Sequence, residues 1–447
     1  MTMARRRLSP AQIFTISVVA LIALGAALLA LPAAAAHGRL SFVDAAFTST
    51  SAVCVTGLIV VDTPRDLSLF GQIVLLALIQ LGGLGYMTLT TVVAVAMGRQ
   101  LTVPERLTLH EALNTETMEG LGRFALAVLK LTLVFELSGA ALLALRWLHE
   151  LGAGRAAYYG LFHAVSAFNN AGFALFSDNL IGYRGDWTVN LVVCGLIVSG
   201  GLGFVVLREV RHARELGRLS VHTRLVLTLT AALVAGATVA LFFLEGRDGA
   251  TLAGLPLHER FLASLFQAVS PRTAGFNTVD IGAMAPASLF LLMILMFVGA
   301  SPGGTGGGVK TTTLGITVAA LWAIVRGRDD ATIFHRRIPR DAVTRAFFVS
   351  LIAFLALNAV AGLLLVIEGR QLLPILFETT SAFGTVGLSM GEGGALSLAG
   401  HLSPAGKLLL MAMMLAGRVG PLTLAVALAG GRTPPRVRYP EGRILVG

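Results

Sequence analysis

The sequence predicts an all-α membrane protein built from four parallel helix–loop–helix repeats. Three observations lead to this fold class. First, 55% of the 447 residues are hydrophobic and only 13% are charged, which is too little charge to cover the surface of a soluble protein of this length. Second, apolar runs long enough to cross a bilayer recur along the whole chain. Third, a short sequence pattern occurs four times between these runs.

Eight apolar runs have the length of a membrane span. They lie near 11–31, 70–97, 122–148, 187–207, 222–244, 287–325, 342–367 and 404–430. The first run follows three arginines and resembles a signal peptide, but we interpret it as a retained span because runs of the same kind follow it. Eight transmembrane helices place both termini on the same side of the membrane.

The basic residues identify that side. Of the 34 Lys and Arg residues, 21 lie in the termini and in the loops on the side of the termini, and 9 lie on the opposite side. Because positively charged loops remain in the cytoplasm, both termini are predicted to be cytoplasmic. The basic residues are not interleaved with aromatic side chains, as a stacking surface for nucleic acid would require.

Four shorter apolar segments lie on the outer side, one between each pair of spans. They read AFTSTSAVCVTGL, LFHAVSAFNNAGF, LFQAVSPRTAGF and LFETTSAFGTVGL. Each has Phe in second place, reaches a Ser, and ends on Gly followed by Leu or Phe. Segments too short to cross the bilayer indicate re-entrant hairpins. Each repeat therefore consists of a span, a re-entrant pore helix, a pore loop and a second span, with pseudo-fourfold symmetry around one pore.

The repeats divide the chain into four units and a tail. Their predicted bounds are 8–98, 121–212, 220–328 and 341–431, followed by a cytoplasmic tail at 432–447. The second spans share a weaker pattern with Gly at mid-depth, in QLGGLGYMT, SGGLGFVVL, SPGGTGGGVKT and AGRVGPLT. Because every unit enters the membrane from the same side, the repeats are related by an axis along the membrane normal.

Four loops that converge on one axis suit a dehydrated monovalent cation. Gly at the turning point lets the backbone aim its carbonyls inward, and rings of carbonyls replace the hydration shell of potassium in ion filters. The three residues at the turning point of each segment, 55–57, 170–172, 273–275 and 385–387, include no carboxylate. The predicted filter residues, with a potassium ion at their backbone carbonyls, are Val55, Thr56, Gly57, Asn170, Ala171, Gly172, Thr273, Ala274, Gly275, Thr385, Val386 and Gly387.

The segments TSAVCVTGL, SAFNNAGF, SPRTAGF and SAFGTVGL resemble the Trk/Ktr/HKT superfamily of potassium transporters, most closely its KtrB type of membrane subunit. The resemblance covers about 40–430. Gly57 resembles the potassium-selecting members, whereas the sodium-carrying plant members have Ser at this place. The resemblance implies potassium uptake across the cytoplasmic membrane of a prokaryote. A sodium-coupled or sodium-carrying transporter of the same superfamily is the alternative.

The resemblance also implies partners. It predicts a homodimer in membrane lipid and a separate cytoplasmic nucleotide-binding ring of the KtrA type, with potassium as substrate and sodium as a possible activator. Basic loops at 208–224 and 326–345 are either a docking face for an acidic ring or simple topology signals. No cofactor is expected in this chain. The spans hold no paired catalytic side chains at matched depth, so we predict that the protein is not an enzyme.

The sixth span is interrupted by SPGGTGGG at 301–308. Each Gly costs about 1 kcal/mol and Pro about 3 kcal/mol in a helix, so the segment is tolerable only beside a cavity. A phosphate-binding loop is disfavoured because Val309 separates Gly308 from Lys310. We predict a loop below the filter with few hydrogen bonds. The resemblance implies that it gates the pore, and a kink without gating is the alternative.

The predicted gate residues are Gly303, Gly304, Thr305, Gly306, Gly307, Gly308, Lys310 and Arg418. Because the filter lies outside this loop, changes in the loop are predicted to alter flux and not selectivity.

Charged residues at membrane depth usually face a bundle interior or water. Arg418 is predicted to face the pore, with a structural pairing to Glu136 or another buried acid as the alternative. Arg272, beside the third filter segment, is predicted to brace loop carbonyls or Glu378. His163 is predicted to be a hydrogen-bonded core residue and not a ligand.

Overall fold

The computed structural model describes residues 10–85, 121–213, 219–248, 251–392, 395–420 and 423–424. Within these ranges the chain forms fifteen α-helices and one short β-hairpin. Several predicted features lie outside them: the second half of the 70–97 span, Arg214 and Arg218 in the first basic loop, and the cytoplasmic tail at 432–447.

Four of the helices are long and apolar enough to cross a membrane. They are α1 (Pro10–Leu29), α5 (Leu121–Leu151), α9 (Val221–Asp248) and α13 (Arg340–Glu368), and each is the first span of one repeat. In their apolar stretches only 22% to 28% of the residues are buried. Most of their hydrophobic side chains therefore face outward, as expected for helices that contact lipid.

A shorter helix follows each long one, at the places predicted for the pore helices. These are α2 (Phe42–Val53), α6 (Ala153–Phe168), α10 (Leu257–Val269) and α14 (Leu372–Gly384). The recurring Phe of each is fully buried: Phe47, Phe162, Phe266 and Phe377. Ser41 begins α2 by accepting a hydrogen bond from the Asp44 N–H (3.1 Å), as an N-cap residue does.

In every repeat a helix ends inside the segment predicted as the second span. After the short α3 (Thr63–Asp66), helix α4 (Leu69–Leu84) ends at Gly85, α7 (Trp187–Leu202) at Gly203, and α15 (Pro404–Val419) at Gly420. These glycines have φ of 74°, 93° and 91°, which an α-helix cannot continue through. We predicted an interruption only in repeat 3, so the prediction of a continuous span at 187–207 is wrong: α8 (Phe204–Arg211) leaves α7 at an angle of 103°.

In repeat 3 the break is longer. Helix α11 (Pro286–Phe297) is followed by a loop at 298–310 and then by α12 (Thr311–Val325). Helix α12 leads to a hairpin of β1 (Thr332–Ile333) and β2 (Arg336–Arg337). Ile333 is buried, and the Arg224 guanidinium lies over the Phe334 ring at 4.3 Å from its centroid, so the hairpin is attached to the helices.

The shared glycines of the second spans have a packing role. A Cβ atom at Gly82, Gly200 or Gly417 would overlap the carbonyl oxygen of Val53, Phe168 or Phe383, respectively, near the C-terminus of a pore helix. Only a residue without a side chain lets the second helix pass this close below the pore helix. In repeats 1, 2 and 4 these glycines thus allow the second helix to pack directly against the C-terminus of the preceding short helix.

Candidate functional site

The four predicted filter segments share an unusual backbone. In each, the first residue has a positive φ: 57° at Val55, 59° at Asn170, 78° at Thr273 and 49° at Thr385. The glycine two positions later is also left-handed, with φ of 89°, 71°, 77° and 95° in chain order. A left-handed β-branched residue costs about 1–3 kcal/mol and persists where the surroundings impose it, often at functional sites.

The four segments adjoin one another in a closed ring. The side of each glycine that would carry a Cβ faces a carbonyl oxygen of the next repeat, so closely that a Cβ would lie within 3 Å of it. The pairs are Gly57 with Ala171, Gly172 with Ala274, Gly275 with Val386, and Gly387 with Thr56. These contacts run from repeat 1 to 2, from 2 to 3, from 3 to 4 and from 4 back to 1, so the four loops surround one axis in chain order.

The recurring Ser of the pattern braces each loop. The Ser51 and Ser381 hydroxyls accept from the N–H of Gly57 and Gly387, each at 3.0 Å. In repeats 2 and 3 the hydroxyl donates instead to the carbonyl of the Phe after the glycine: Ser166 to Phe173 at 2.7 Å, and Ser270 to Phe276. Every loop is therefore tied to its own pore helix, which holds the carbonyls in place.

The loop of repeat 3 is one residue shorter than the others. The residue before the filter glycine donates its N–H to the carbonyl of the pattern Ser in all four repeats, at 2.7 to 2.9 Å. Three of these bonds span five residues, and the bond from Ala274 to Ser270 spans four. The turn of repeat 3 is therefore one residue tighter, and its filter glycine still contacts the neighbouring repeats in the ring.

A cavity of about 410 Å³ opens at the ring, and all four filter glycines line it. Asp62, Asp178 and Asp280 line the same cavity, and the latter two are exposed. Asp62 accepts from the Ser177 hydroxyl (2.7 Å) and is buried. Burial raises the pKa of the Asp62 carboxyl above its ordinary value, and the Ser177 hydrogen bond and the Arg65 charge partly oppose that rise.

Our sequence interpretation missed these carboxylates although they recur. An acidic residue follows the filter glycine by five positions, or by six in repeat 2, in GLIVVD, GFALFSD, GFNTVD and GLSMGE. The fourth, Glu392, pairs with Arg370 and does not line the cavity. Arg65 also lines the cavity and pairs with Asp62 (3.5 Å), so the negative potential that attracts cations comes mainly from Asp178 and Asp280.

Below the ring lies the loop at 298–310, and it is well hydrogen-bonded. Its bonds to repeat 2 run from Ser301 N–H to Gly201 O (2.9 Å), from Thr305 N–H to Gly200 O (3.1 Å) and from Phe204 N–H to Gly303 O (3.1 Å). A further bond runs from Gly308 N–H to Gly417 O in repeat 4 (3.3 Å). The prediction of few hydrogen bonds is therefore wrong. Backbone N–H and C=O groups of the loop, which have no partners in a helix, form hydrogen bonds with repeats 2 and 4 instead.

Two cationic side chains hold the loop. Arg418 donates to the carbonyls of Thr305 in the loop and of Gly82 and Gly83 at the end of α4, the last at 3.3 Å. Lys310 donates to Gly306 O at 2.7 Å. Arg418 thus links repeats 1, 3 and 4 just below the ring.

The alternative pairing of Arg418 with Glu136 is not observed. Glu136 is buried and accepts hydrogen bonds from Gln80 (3.2 Å) and Asn169 (2.9 Å). Arg418 instead finds its partners in backbone carbonyls, which carry the negative end of the α4 helix dipole at Gly82 and Gly83.

The prediction for Arg272 is wrong, because its guanidinium donates to the Thr230 hydroxyl of α9 at 3.2 Å. Glu378 accepts instead from Ser389 (2.6 Å) and from the Ala399 N–H (2.9 Å), and so fastens the outer loop of repeat 4. His163 is a buried core residue, as predicted. Its Nδ1 lies 2.7 Å from Tyr159 O and its Nε2 accepts from the Leu175 N–H.

The chain is similar to known transport proteins over nearly its whole length. The Ktr system potassium uptake protein B of Bacillus subtilis is 40% identical over 99% of this chain and 97% of its own length. The protein of the same name from Vibrio alginolyticus is 38% identical over 98% and 94%. The potassium/sodium uptake protein NtpJ of Enterococcus hirae is 37% identical over 99% and 98%. These relatives are transporters and not enzymes.

The fold is also that of a solved structure. The crystal structure of the potassium transporter TrkH from Vibrio parahaemolyticus matches with a TM-score of 0.74 at 20% identity, over 95% of this chain and 86% of that one. The resemblance to the Trk/Ktr proteins stated from the filter segments is confirmed. A family model, TrkH cation transport protein, matches residues 9–431, and this helical membrane protein therefore belongs to the TrkH family of cation transport proteins.

Proposed function

We propose that the protein takes up potassium through a pore formed by four parallel helix–pore loop–helix repeats. The observation that carries this proposal is the closed ring in which each filter glycine faces a carbonyl of the next repeat. Neutral carbonyl oxygens arranged in a ring are suitable ligands for a dehydrated monovalent cation. The relatives named as potassium uptake proteins support the choice of ion.

The test is rubidium or potassium flux into liposomes that contain the purified protein. A membrane potential is imposed, and no sodium gradient is present. A potassium-conducting pore gives uptake that follows the potential and is selective over sodium. Uptake that requires a sodium gradient would contradict the proposal and favour the alternative, a sodium-coupled transporter, which the name of the Enterococcus relative keeps open.

The outer carboxylates supply a further prediction. Changing Asp178 and Asp280 to Asn should raise the potassium concentration for half-maximal uptake about two- to fivefold at low salt, because the cavity loses negative potential. At 1 M inert salt the Debye length is about 3 Å, so the difference should vanish there. Asp329→Asn, an exposed carboxylate on the cytoplasmic side, is the matched control and should change nothing. An effect that persists at high salt would contradict the electrostatic explanation.

We propose that the loop at 298–310, with Arg418 and Lys310, is the gate of this pore. The loop lies directly below the filter ring, and Gly307 packs against Thr385 of the filter. Besides the hydrogen bonds within the loop, it is bonded to repeats 2 and 4, so it can leave this position only by exchanging those contacts. A partner that binds one arrangement better shifts the population of the two states.

The gate needs a source of regulation, and we propose a separate cytoplasmic nucleotide-binding ring that binds a homodimer of this chain in the inner membrane. Both termini and the basic loops then lie on the cytoplasmic side, as the distribution of Lys and Arg predicts. Arg336 in strand β2 and Arg328, which precedes the hairpin, are both exposed, where an acidic ring would meet them.

Reversal of Arg328 and Arg336 to Glu should therefore weaken co-purification with the regulatory ring about tenfold in 0.15 M salt, because rim charges steer association. Co-purification of tagged subunits over a salt series measures this. Arg155→Glu, an exposed arginine on the outer side, is the control for folding and net charge. Binding that is salt-insensitive and survives the reversal would leave these arginines as topology signals only.

A further inference from the structure

The filter and the loop touch at Thr385. This threonine is the first residue of the fourth filter segment, where it is fully buried with φ of 49°. Its hydroxyl accepts a hydrogen bond from the Gly307 N–H of the loop at 2.9 Å. A left-handed threonine in the filter is thus held, on its cytoplasmic side, by the segment that we propose as the gate.

The loop packs tightly around Gly307, where there is no space for a side chain. A Cβ atom at Gly307 would lie 2.6 Å from the Thr385 hydroxyl and 2.9 Å from the Gly417 carbonyl. The next N–H, of Gly308, donates to that same Gly417 carbonyl at 3.3 Å. The loop therefore passes between the filter and α15, and it cannot leave without removing the partner of Thr385.

Two other filter residues at the same position, Asn170 and Thr273, are hydrogen-bonded to each other within the ring, and Thr273 also packs against Gly306 of the loop without bonding to its backbone. The Asn170 amide and the Thr273 hydroxyl share a hydrogen bond of 2.9 Å, which joins repeats 2 and 3 above the loop. Val55 has no polar side-chain atom to bond. Among the four equivalent residues, Thr385 is the one whose hydroxyl binds the loop backbone.

We propose that Thr385 couples the filter to the gate, so that movement of the loop changes ion selectivity as well as flux. The inference rests on the proposed function. It replaces our prediction that the loop alters flux alone, because the two parts share a buried hydrogen bond. When the loop is in place, the bond fixes the strained backbone of Thr385 and its carbonyl. When the loop leaves, that carbonyl loses one of its supports, and the ring discriminates less sharply between ions.

The test uses two substitutions that break the same contact from opposite sides. Thr385→Val removes the hydroxyl with little change of shape, and Gly307→Ala pushes the loop away from it. Rubidium flux without the regulatory partner should rise about tenfold in each, since a buried N–H loses its acceptor. The preference for potassium over sodium should fall about threefold in each. The double variant should resemble the single ones, because both remove one interaction.

Thr385→Ser keeps the hydroxyl that accepts from Gly307, so its flux should be lower and its preference for potassium higher than those of Thr385→Val. Thr379→Val is the matched control, since the Thr379 hydroxyl donates within its own helix to Ile375 O (2.7 Å), and it should change neither quantity. Altered selectivity in Thr385→Val with unaltered selectivity in Gly307→Ala would overturn the coupling, as would unchanged selectivity in both. Should Thr385→Val fail to fold, Gly307→Ala alone decides. Absence of selective flux in the unaltered protein would instead overturn the proposed function, and the inference with it.

Discussion

Substitution of Gly57 by Ser is expected to reduce the preference for potassium over sodium by at least about tenfold, a difference of about 1.4 kcal/mol between the two ions. The substitution has two costs. The backbone at residue 57 must keep φ of 89°, which costs an L-residue about 1–2 kcal/mol. The new Cβ would also collide with the Ala171 carbonyl oxygen of the next repeat. The carbonyl must move, and the ring then no longer matches the size of potassium.

The same change at Gly172, Gly275 and Gly387 should act in the same direction, because each faces a carbonyl of its neighbour. Competition between rubidium and sodium for uptake measures the preference. Gly254→Ser is the matched control: its φ is 83° and nothing lies within 4 Å of its missing Cβ, so it carries the backbone strain without a contact in the ring. Unchanged preference in all four filter variants, in protein shown to be folded, would contradict the filter assignment.

The sequence predicted the position of the four left-handed loops because their cause is local. A pore helix needs a buried apolar face, hence the recurring Phe, and the left-handed turn needs Gly. Both requirements recur four times at nearly equal spacing, so the repeat identifies them. The same spacing explains why the pattern Ser is hydrogen-bonded to its loop. It does not explain why the hydroxyl accepts in repeats 1 and 4 and donates in repeats 2 and 3.

Contacts between repeats were not predictable in this way. Arg418 reaches Thr305 and Gly82, which lie far from it in sequence, and nothing in the local pattern of either segment identifies the other. The helix ends at Gly85, Gly203 and Gly420 were visible only as shared glycines, because a glycine can equally serve close helix packing. The carboxylates that line the cavity lie five or six residues beyond the filter glycines, outside the recurring Phe–Ser–Gly pattern, so that pattern does not identify them.

Deletion of Gly304 to Gly308 is expected to raise rubidium flux at least about tenfold in protein without its regulatory partner. The deletion removes the N–H and carbonyl of Thr305, the Gly307 N–H that binds Thr385, and the Gly306 carbonyl that binds Lys310. Each of these bonds contributes about 1 kcal/mol to the closed position, so the loss of several shifts the population strongly toward the open form. Selectivity should fall as well, because Thr385 loses its partner.

Arg418 provides a test of the same gate that does not shorten the chain. Arg418→Gln removes the positive charge beside the ion path and the bridge from Thr305 to Gly82, whereas Arg418→Lys keeps the charge and loses the bidentate geometry. A unit charge about 4 Å from a cation in a medium of effective dielectric near 20 opposes it by about 4 kcal/mol, so Gln should raise flux more than Lys does. If Arg418→Gln and Arg418→Lys raise flux equally, the hydrogen bonds from Arg418 to Thr305 and Gly82, and not its charge, oppose ion flow. Flux that stays low in the deletion and in both Arg418 variants, in folded protein, would mean that the loop is not the gate.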